Sequence, residues 1–419
     1  MVTEGPRMKT SRKACLFLIV VGLAVVAGNA ADRATAKPMS AGSSPVYVIA
    51  NQDLAAPEMN DIVFYQAQDT NLTFSTALAT GGFGIQGGFF GTTRLNSVPS
   101  LSASCLYVSN SGSNTIATIS LSDQQLVDVF PASDSDDGSE NGVGLAVNAN
   151  FLYANFTASS TIATFALQPG CGLTFLGDVT AVGLQGGSPS GMAANATTLV
   201  VAYGDGSIES FNITGGVPVS NHDLQNSNGY GGAAIIAPRT TGNLPTSVDL
   251  TQDGKFAIFG DISAYTTVEV SSLASGKLGR TTVYTLGNSA DAGNIRLSPD
   301  HTLLYISNSE GGTVTAAFFD PATGKLTPGC TSATLNGFNS RPWLGSVVTR
   351  DTAGTGNVVY IAEFGRDYLE VNHGPSSEIG ILTVTSNGSS CTLTETQNSP
   401  VSLARPGTLT IGVYPPRPF

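Results

Sequence analysis

Charged side chains are scarce in this sequence. Lys, Arg, Asp and Glu together make up 11% of the 419 residues, against about 25% in an ordinary soluble domain. This scarcity excludes a coiled coil or a long helical bundle, which needs many charged residues at regular helical spacing. Disorder driven by charge is also excluded, because 41% of the residues are hydrophobic and such a chain can bury a core.

Basic residues and histidine are few. The chain has 18 Lys and Arg against 30 Asp and Glu, a formal net charge of −12, and 3 His. This acidic balance argues against nucleic acid or an anionic membrane as a partner. The scattered histidines and the lack of a C-x-x-C pair argue against a metal site. The acidic run SDSDDGSEN at 133–141 lacks the spacing of an EF-hand loop. We expect no metal and no cofactor.

The N-terminus has the pattern of a secretory signal peptide. Lys9, Arg12 and Lys13 precede an uncharged run at 14–30 that is rich in Leu, Ile and Val and ends in the small-x-small triplet GNA. The apolar stretch is shorter than the ~20 residues that a membrane span needs. We therefore expect cleavage and a protein that is secreted, periplasmic or at the cell surface, with no membrane contact after the signal is removed.

The cysteines are compatible with disulfides, because export to an oxidising compartment lets them form. Cys15 would leave with the signal, so that Cys105, Cys171, Cys330 and Cys391 remain. Four cysteines allow three pairings. The sequence does not choose between them, although the repeat described next favours pairing of sequence neighbours.

A repeat runs along the chain. The segments CLYVSNSGSNTIATISL from Cys105 and LLYISNSEGGTVTAAFF from Leu303 align well, and FLYANFTASSTIATFAL from Phe151 fits the same frame. Each segment reads as a β-run, a polar turn and a second β-run rich in Thr, Ile and Val. One strand precedes this pair and another follows it, so the unit has four strands, a to d.

Seven units can be counted, and four strands in each period of about 45–60 residues are typical of a β-propeller. The first unit lacks strand a, whereas RPGTLTIGV from Arg405 is a surplus strand. We expect this C-terminal strand to complete the N-terminal blade and so to remove exposed sheet edges. The b strands are predicted at 46–50, 106–109, 151–154, 199–203, 256–260, 304–307 and 358–362. Their equivalent residues are Tyr47, Tyr107, Tyr153, Val201, Ile258, Tyr305 and Tyr360.

The segments LYVSNSGSNTIATI and LYISNSEGGTVTAAFFDPATGKLT resemble the repeats of the YVTN-type, lactonase-like family of seven-bladed β-propellers. The resemblance covers roughly residues 45–415. It implies an all-β fold and leaves the activity open, because such propellers include lactonases, cyclases and non-catalytic binding proteins. We expect a signal peptide at 1–30, a linker at 31–44 and one propeller at 45–419, as a monomer.

Long connections are predicted at one end of this propeller. The d-to-a and b-to-c connections share that end, and the long ones are 51–60, 81–98, 225–243 and 363–377. We call it the long-loop end. The turns at the opposite, short-turn end are brief, such as LTQDGK and LSPDHT. Because sites concentrate on long loops, the long-loop end is the candidate functional face.

Arg341, Glu363, Arg366 and His373 form the candidate catalytic group, and they cluster in blade 7. The arginines would bind a carboxylate or a developing oxyanion, and Glu363 or His373 would act as general base. The other candidates, for binding, are Arg94, Arg239, Trp343 and Arg405.

Two functions remain open. The resemblance implies Pro-His pairs at the inner-strand openings of active members, but in this chain the openings read SPSG, LPTS, DAGN, RPWL and RPGT. This favours a secreted, non-catalytic propeller that binds a small molecule or a protein through the long-loop end. The alternative is a lactonase-like hydrolase or cyclase acting on a small lactone or carboxylate. His222, in a predicted d strand, and His301, in a turn, are expected to be exposed.

Overall fold

Short apolar strands separated by tight polar turns give seven antiparallel sheets that follow one another in chain order. The computed structural model describes residues 45–68, 70–84, 95–99, 104–131, 143–157, 159–227, 245–262, 265–289, 291–339, 343–349, 358–364, 377–403 and 410–414. The predicted signal peptide and linker therefore lie outside the described residues. The sheets are the blades of an all-β, seven-bladed propeller, which confirms the predicted fold class.

Each blade has four strand positions, counted from the channel outward. In the order of blades 1 to 7, the inner strands are Thr410–Tyr414, Leu95–Pro99, Val143–Val147, Pro189–Ala194, Pro245–Leu250, Ala292–Leu297 and Trp343–Thr349. In the same order, the second strands are Val46–Asn51, Ser104–Asn110, Phe151–Phe156, Thr198–Tyr203, Phe256–Asp261, Leu303–Asn308 and Val358–Phe364.

The third and outer strands complete the blades. The third strands are Asp61–Gln68, Thr115–Ser120, Thr161–Leu167, Ser207–Asn212, Thr266–Ala274, Thr313–Asp320 and Glu378–Ser386. The outer strands are Asn71–Ala79, Gln125–Pro131, Leu173–Thr180, Val219–Ser220 with Gln225–Asn226, Lys277–Gly287, Lys325–Thr331, and Cys391–Glu395 with Val401–Ser402. Two 3-10 turns are found at Pro169–Cys171 and Asn336–Asn339.

The second strands carry the repeat that the sequence predicts. All seven predicted b strands lie within them. Tyr107, Tyr153 and Tyr360 are fully buried, as is Ile258, which replaces tyrosine in blade 5. The predicted equivalence of Val201 is wrong, because Val201 packs toward blade 3, and Val200 is the residue of blade 4 that packs toward the following blade. The repeated position is therefore a core position, which is why only large apolar or aromatic residues occupy it.

The core is a ring of separate apolar clusters. Among the described residues, each of the seven interfaces between neighbouring blades holds one cluster of buried side chains. The cluster between blades 7 and 1 includes Val48, Tyr360 and Ile411. Because every blade buries both faces against its neighbours, the folded state depends on the whole ring.

Blade 1 contains strands from both ends of the described chain. Thr410–Tyr414 runs antiparallel to Val46–Asn51, with Asn51 opposite Thr410 and Tyr47 opposite Tyr414. Ile411 of this inner strand is 3% exposed. Residues 404–409, which precede the strand, lie outside the described residues.

Two disulfides link neighbouring blades. Cys105 of blade 2 bonds to Cys171 of blade 3, and Cys330 of blade 6 bonds to Cys391 of blade 7, with Cα–Cα distances of 5.4 and 5.5 Å. The pairing of sequence neighbours, one of the three open alternatives, is therefore the one adopted. Among the described residues, no helix is long and apolar enough to cross a membrane.

The long-loop end brings two predicted connections together. Ala55, in the 51–60 connection, forms a parallel bridge with Gly84, and the backbone N–H of Asn60 donates to the carbonyl of Gly82 (2.8 Å). Three predicted connections are shorter than expected, because Leu95–Pro99, Gln225–Asn226 and the last residues of Val358–Phe364 are strands. Polar residues at the ends of these strands make them resemble loops in the sequence.

Candidate functional site

Most of the predicted site residues lie outside the described part of the chain. These are Arg94, Arg239, Arg341, Arg366, His373 and Arg405. Trp343 begins the inner strand of blade 7, where its register partner is Phe364. Glu363 is the one predicted residue whose side chain the structure describes.

Glu363 lies on a strand, and its prediction as a residue of the connection at 363–377 is wrong. It belongs to Val358–Phe364 and its side chain is fully buried. The strand begins with the apolar run VVYIA, continues through Glu363 and ends at Phe364. Its position, three residues after Tyr360, is that of Asn110 in blade 2 and Asn308 in blade 6.

This repeated position joins neighbouring blades. Asn308 Oδ1 accepts a hydrogen bond from Thr266 Oγ1 of blade 5 (2.9 Å), and Asn110 Oδ1 accepts one from Asn60 Nδ2 of blade 1 (3.0 Å). Glu363 places a carboxyl group where these blades have an amide. Such a change at a buried position calls for an explanation beyond packing.

A second glutamate faces Glu363. Glu378 is its register partner on the adjacent strand and is 7% exposed. Ser402 Oγ donates to Glu378 Oε1 (2.8 Å). A Cβ on Gly337 would lie 2.7 Å from Glu378 Oε2 and closer still to Glu363 Oε2. Two carboxyl groups therefore converge beside one glycine, where only a residue without a side chain fits.

Blade 5 holds another buried acidic pair, which the sequence prediction missed. Asp261 and Glu269 are both fully buried, and Ser227 Oγ donates to Glu269 Oε1 (3.1 Å). Burial, followed by the charge of Asp261, raises the pKa of Glu269 well above its ordinary value. A glutamate between two valines, in the sequence TVEV, was the available signal of a buried acid.

The openings of the inner strands carry hydroxyl groups that link blades. Ser190 Oγ donates to the carbonyl of Pro245 (3.1 Å), and Thr246 Oγ1 donates to that of Gly293 (3.3 Å). Each acceptor belongs to the inner strand of the next blade. The residue after proline at these openings therefore fastens neighbouring strands at the rim of the channel.

The two described histidines differ from expectation. His222 is exposed, as predicted, but it lies between Val219–Ser220 and Gln225–Asn226 rather than inside an outer strand. The predicted exposure of His301 is wrong, because only 9% of it is exposed. The backbone at His301 is left-handed, with φ of 57°, and the turn folds its side chain inward.

A cavity of about 730 Å³ lies at the short-turn end of the channel. Its walls are the ends of the inner strands of blades 3 to 7 and 1, together with the turn at 251–255. Among the described residues, four charged ones border it: Asp249, Asp253, Lys255 and Arg296. The sequence predicts the functional face at the other end.

Asp249 and Arg296 form an ion pair across two neighbouring inner strands. Asp249 accepts the backbone N–H of Leu250 (2.9 Å) and of Leu297 (2.8 Å), and Arg296 Nη1 lies 3.8 Å from Asp249 Oδ1. Both charges stand at the same place in consecutive repeats, SVDLTQDG and NIRLSPDH. Opposite charges at equivalent positions were a signal that could have identified the pair.

Among the described residues, no group of three or more His, Cys, Asp or Glu side chains is placed to hold a metal ion. The acidic run at 133–141 lies outside the described residues.

The fold and the repeated motifs agree with a known family. The sequence profile described as "Lactonase, 7-bladed beta-propeller" matches residues 108–411. The match spans more than half of the chain, and the protein belongs to this family of lactonase-type propellers. The resemblance inferred from the LYVSN and LYISN repeats is confirmed. No curated protein sequence matches the chain.

Solved structures with the same fold include proteins with lactonase names. A proposed 6-phosphogluconolactonase from Bacteroides uniformis has a TM-score of 0.61 at 14% identity, covering 88% of this chain and 100% of its own. One from Bacteroides fragilis has 0.60 at 17%, covering 90% and 99%. The periplasmic gluconolactonase of Pseudomonas aeruginosa has 0.59 at 13%, covering 88% and 99%. At these identities the likeness concerns the fold alone.

Proposed function

We propose that this protein hydrolyses a small lactone at the long-loop end of its channel. The observation that carries the proposal is the pair of buried carboxyl groups, Glu363 and Glu378, at the end of blade 7. Membership of the lactonase family supports the reaction class. The fold likeness to gluconolactonases makes a sugar lactone the first substrate to try.

Lactone hydrolysis needs a base, an oxyanion donor and a proton for the leaving group. In the proposed step, Glu363 takes a proton from water as the water oxygen bonds to the carbonyl carbon. Arg341 and Arg366 stabilise the negative charge on the carbonyl oxygen. The ring C–O bond then breaks, and the proton passes to the alkoxide oxygen, directly or through His373, to give the hydroxy acid.

We also propose that the protein works as a monomer outside the cytoplasm. Two disulfides fit an extracellular or periplasmic protein, because thiols in the cytosol are kept reduced. The net charge of −12 is a reason not to expect nucleic acid as a partner.

A panel of aliphatic and sugar lactones, assayed for hydrolysis by the purified protein, tests the reaction. Glu363→Gln keeps the size of the side chain and removes its acid. We expect this variant to lose about 100-fold or more in kcat/KM, the usual contribution of a general base. Equal rates in the wild type and the variant, or no hydrolysis across the panel, would overturn the proposal.

Glu209→Gln is the matched control. Glu209 is 7% exposed on the third strand of blade 4, where Tyr203 and Ser220 donate hydrogen bonds to it. Its substitution puts the same amide into a buried position of another blade. We expect its kcat/KM to stay within about threefold of the wild type, since a loss of that size is well below the effect of a general base.

A second candidate is binding without catalysis, through Arg94, Arg239, Trp343 and Arg405. The hydroxyl groups of Ser190 and Thr246 favour it, because they link strands at the openings where the resemblance implies histidine. A lactone that binds, is not turned over, and binds more weakly to Arg239→Ala would support this candidate.

A further inference from the structure

We infer that the outer strand of blade 1, Asn71–Ala79, docks an extended, basic segment of a partner protein. We call it the docking strand. In the described part of the chain it pairs with one strand, Asp61–Gln68, and its other edge is open. Asn398 Nδ2 donates to Asn71 Oδ1 at one end (2.6 Å), a contact with the side chain alone. An open edge presents backbone N–H and C=O groups, which a further β-strand saturates.

The outer strands of the other blades carry features that hinder such pairing. Charged residues, proline and glycine interrupt an edge, and a very short edge strand offers few hydrogen bonds. Blades 2, 3, 5, 6 and 7 each have at least one charged residue in the outer strand, in QLVDVFP, LTFLGDVT, KLGRTTVYTLG, KLTPGCT and CTLTE. The outer pieces of blade 4 have two residues each. The docking strand, NLTFSTALA, has nine residues and none of these features.

Blade 3 provides a direct comparison, because its outer strand follows the same course. Phe74 and Phe175 are equivalent, since each precedes a bulge and each ring packs against an aromatic ring of the third strand. After the bulge, blade 1 continues as TALA, whereas blade 3 continues as GDVT. The equivalent of Ala77 is therefore Asp178. Blade 3 has a charge where the docking strand has a small neutral residue.

The hydrogen-bonding groups of Ala77 point away from the blade. The N–H of Thr80 donates to the carbonyl of Asn60 (2.9 Å), so these two residues form a hydrogen-bonded pair at the end of the ladder. In an antiparallel ladder such pairs alternate with pairs whose N–H and C=O groups face outward. Ala77 lies opposite Val63, three positions before Thr80, and the alternation therefore turns it outward. Ala77 and Ala79 are both exposed.

Phe74 gives the docking strand an apolar contact for its partner. Its side chain is 61% exposed and packs edge-to-face with Tyr65. Side chains on one face of an antiparallel pair lie about 4.5–5.5 Å apart between Cβ atoms, so an aromatic ring reaches a β-branched neighbour on an added strand. The matching segment is extended and has β-branched residues at alternate positions.

Charge favours a basic segment over a second copy of this chain. Residues 45–180, which form blades 1 to 3 apart from the inner strand of blade 1, contain 11 acidic residues and one basic residue, Arg94. Asp128 is exposed on the outer strand of blade 2. The next residue, Val129, packs beside Gly81 at the end of the docking strand. Such a surface repels an equally acidic copy and attracts Lys and Arg at the ends of a bound segment.

Three synthetic peptides test the inference by fluorescence anisotropy with the purified protein. KTVTVTVTK has the alternating pattern and basic ends. ETVTVTVTE has acidic ends, and KTVPVTPTK has prolines at one even and one odd position, so that neither edge keeps all its donors. We expect KTVTVTVTK to bind at least about tenfold more tightly than either, because each lacks one of the recognised features. No binding of KTVTVTVTK at about 1 mM, or equal binding of all three peptides, would overturn the inference.

Two matched pairs of variants place the binding. Ala77→Pro removes an outward N–H of the docking strand, and Asp178→Pro makes the same change at the equivalent position of blade 3. Phe74→Ser and Phe175→Ser remove the equivalent exposed rings. We expect KTVTVTVTK to bind about tenfold more weakly to Ala77→Pro and about threefold more weakly to Phe74→Ser, and both blade 3 variants to stay within about twofold of the wild type. Equal losses in blades 1 and 3 would contradict the placement.

Folding and self-association are measured on the same proteins. Thermal melting shows whether Ala77→Pro is folded, which we expect because edge strands tolerate proline. Phe74→Ser leaves the backbone unchanged, so it tests the placement without that requirement. Sedimentation velocity tests the other occupant: a wild-type dimer that Ala77→Pro abolishes would assign the docking strand to a second copy of this chain and overturn the partner segment. Absence of lactone hydrolysis would leave these results unaffected.

Discussion

The interface between blades 4 and 5 and the interface between blades 6 and 7 are fastened by different chemistry. Between blades 4 and 5, Asp223 accepts the N–H groups of Ser210 (2.9 Å) and Leu278 (2.7 Å), and Asn221 Nδ2 donates to the carbonyl of Gly276 (3.0 Å). Between blades 6 and 7, a disulfide joins the outer strands. The repeated architecture therefore determines where neighbouring blades are joined. The local sequence determines whether hydrogen bonds or a disulfide join them.

The two interfaces should therefore respond to different conditions. A disulfide responds to reductant and is indifferent to moderate changes of pH. The interface of blades 4 and 5 also contains Glu269, bonded to Ser227, and responds to pH through the raised pKa of that carboxyl group. Four changes, from the largest expected effect to the smallest, test this difference.

Removal of residues 405–419 should have the largest effect, because it takes a whole inner strand from blade 1. Blade 1 would lose the strand paired with Val46–Asn51, and the cluster between blades 7 and 1 would lose Ile411. We expect cooperative thermal unfolding to disappear, as followed by circular dichroism. Removal of 415–419 alone is the control and should leave it intact. Near-normal melting of the longer deletion would contradict the role given to this strand.

The double substitution Cys330→Ala and Cys391→Ala should lower the free energy of unfolding by about 2–4 kcal/mol, as loss of a disulfide usually does. Denaturant unfolding with and without reductant measures it. The matched pair Cys105→Ala and Cys171→Ala removes the other disulfide. Because Cys105 and Cys171 are fully buried while Cys330 and Cys391 are partly exposed, reductant should open the bond between Cys330 and Cys391 first. Reduction in the reverse order would refute this prediction.

Asp223→Asn should destabilise the interface of blades 4 and 5 by about 1.5–3 kcal/mol, the usual range for a hydrogen bond to a charged group. Asp223 accepts the N–H of Ser210 on one oxygen and that of Leu278 on the other. The amide nitrogen of asparagine cannot accept, so one of these two N–H groups loses its acceptor. Urea unfolding gives the difference. Asp178→Asn, at an exposed position of blade 3, makes the same charge change and should alter stability by less than about 0.5 kcal/mol.

Glu269→Gln should have the smallest effect, and one that depends on pH. A raised pKa means that the folded state holds this proton more tightly than the unfolded state, whose value is near 4.5. The stability that Glu269 contributes is full below about pH 4.5 and is lost as the pH rises through its folded-state pKa, by at most about 1.4 kcal/mol per pH unit.

Unfolding free energies measured over a range that starts near the unfolded-state pKa of 4.5 and extends about three to four pH units above it test this. The free energy of unfolding of Glu269→Gln should vary less with pH over that range than that of the wild type. The variant should therefore be more stable, relative to the wild type, at the upper end of the range. Glu209→Gln, in blade 4, serves as the control for a buried amide. Parallel pH curves for the wild type and Glu269→Gln would show that the blade 4 and 5 interface does not sense pH through this group.

The sequence was sufficient for the architecture because each repeat carries its own evidence. The tyrosines at one position of the second strands and the polar turns after them predicted all seven second strands. The disulfide pairing stayed open, since the sequence does not say which blade ends approach each other. The split outer strands of blades 4 and 7 were also missed, because outer strands are half exposed and have weak apolar alternation.

The site was harder to predict because burial of charge is a property of packing. Glu363 follows the apolar run VVYIA and reads as the start of a loop, whereas the strand includes it. Arg296 and Asp249, when each is considered alone, look like ordinary strand residues and do not indicate an ion pair. Their pairing across two blades emerges only when consecutive repeats are compared.

The mixed origin of blade 1 also bears on how the ring assembles. Blades 2 to 7 are each made from one continuous stretch of chain, so their strands pair after short loops close. Blade 1 needs Thr410–Tyr414 to find Val46–Asn51, a contact between distant parts of the chain that is slow to form. Until then, the backbone of Val46–Asn51 presents an open edge. The same strand from a second molecule fits that edge, so crowded refolding should yield strand-exchanged dimers, and dilution should suppress them.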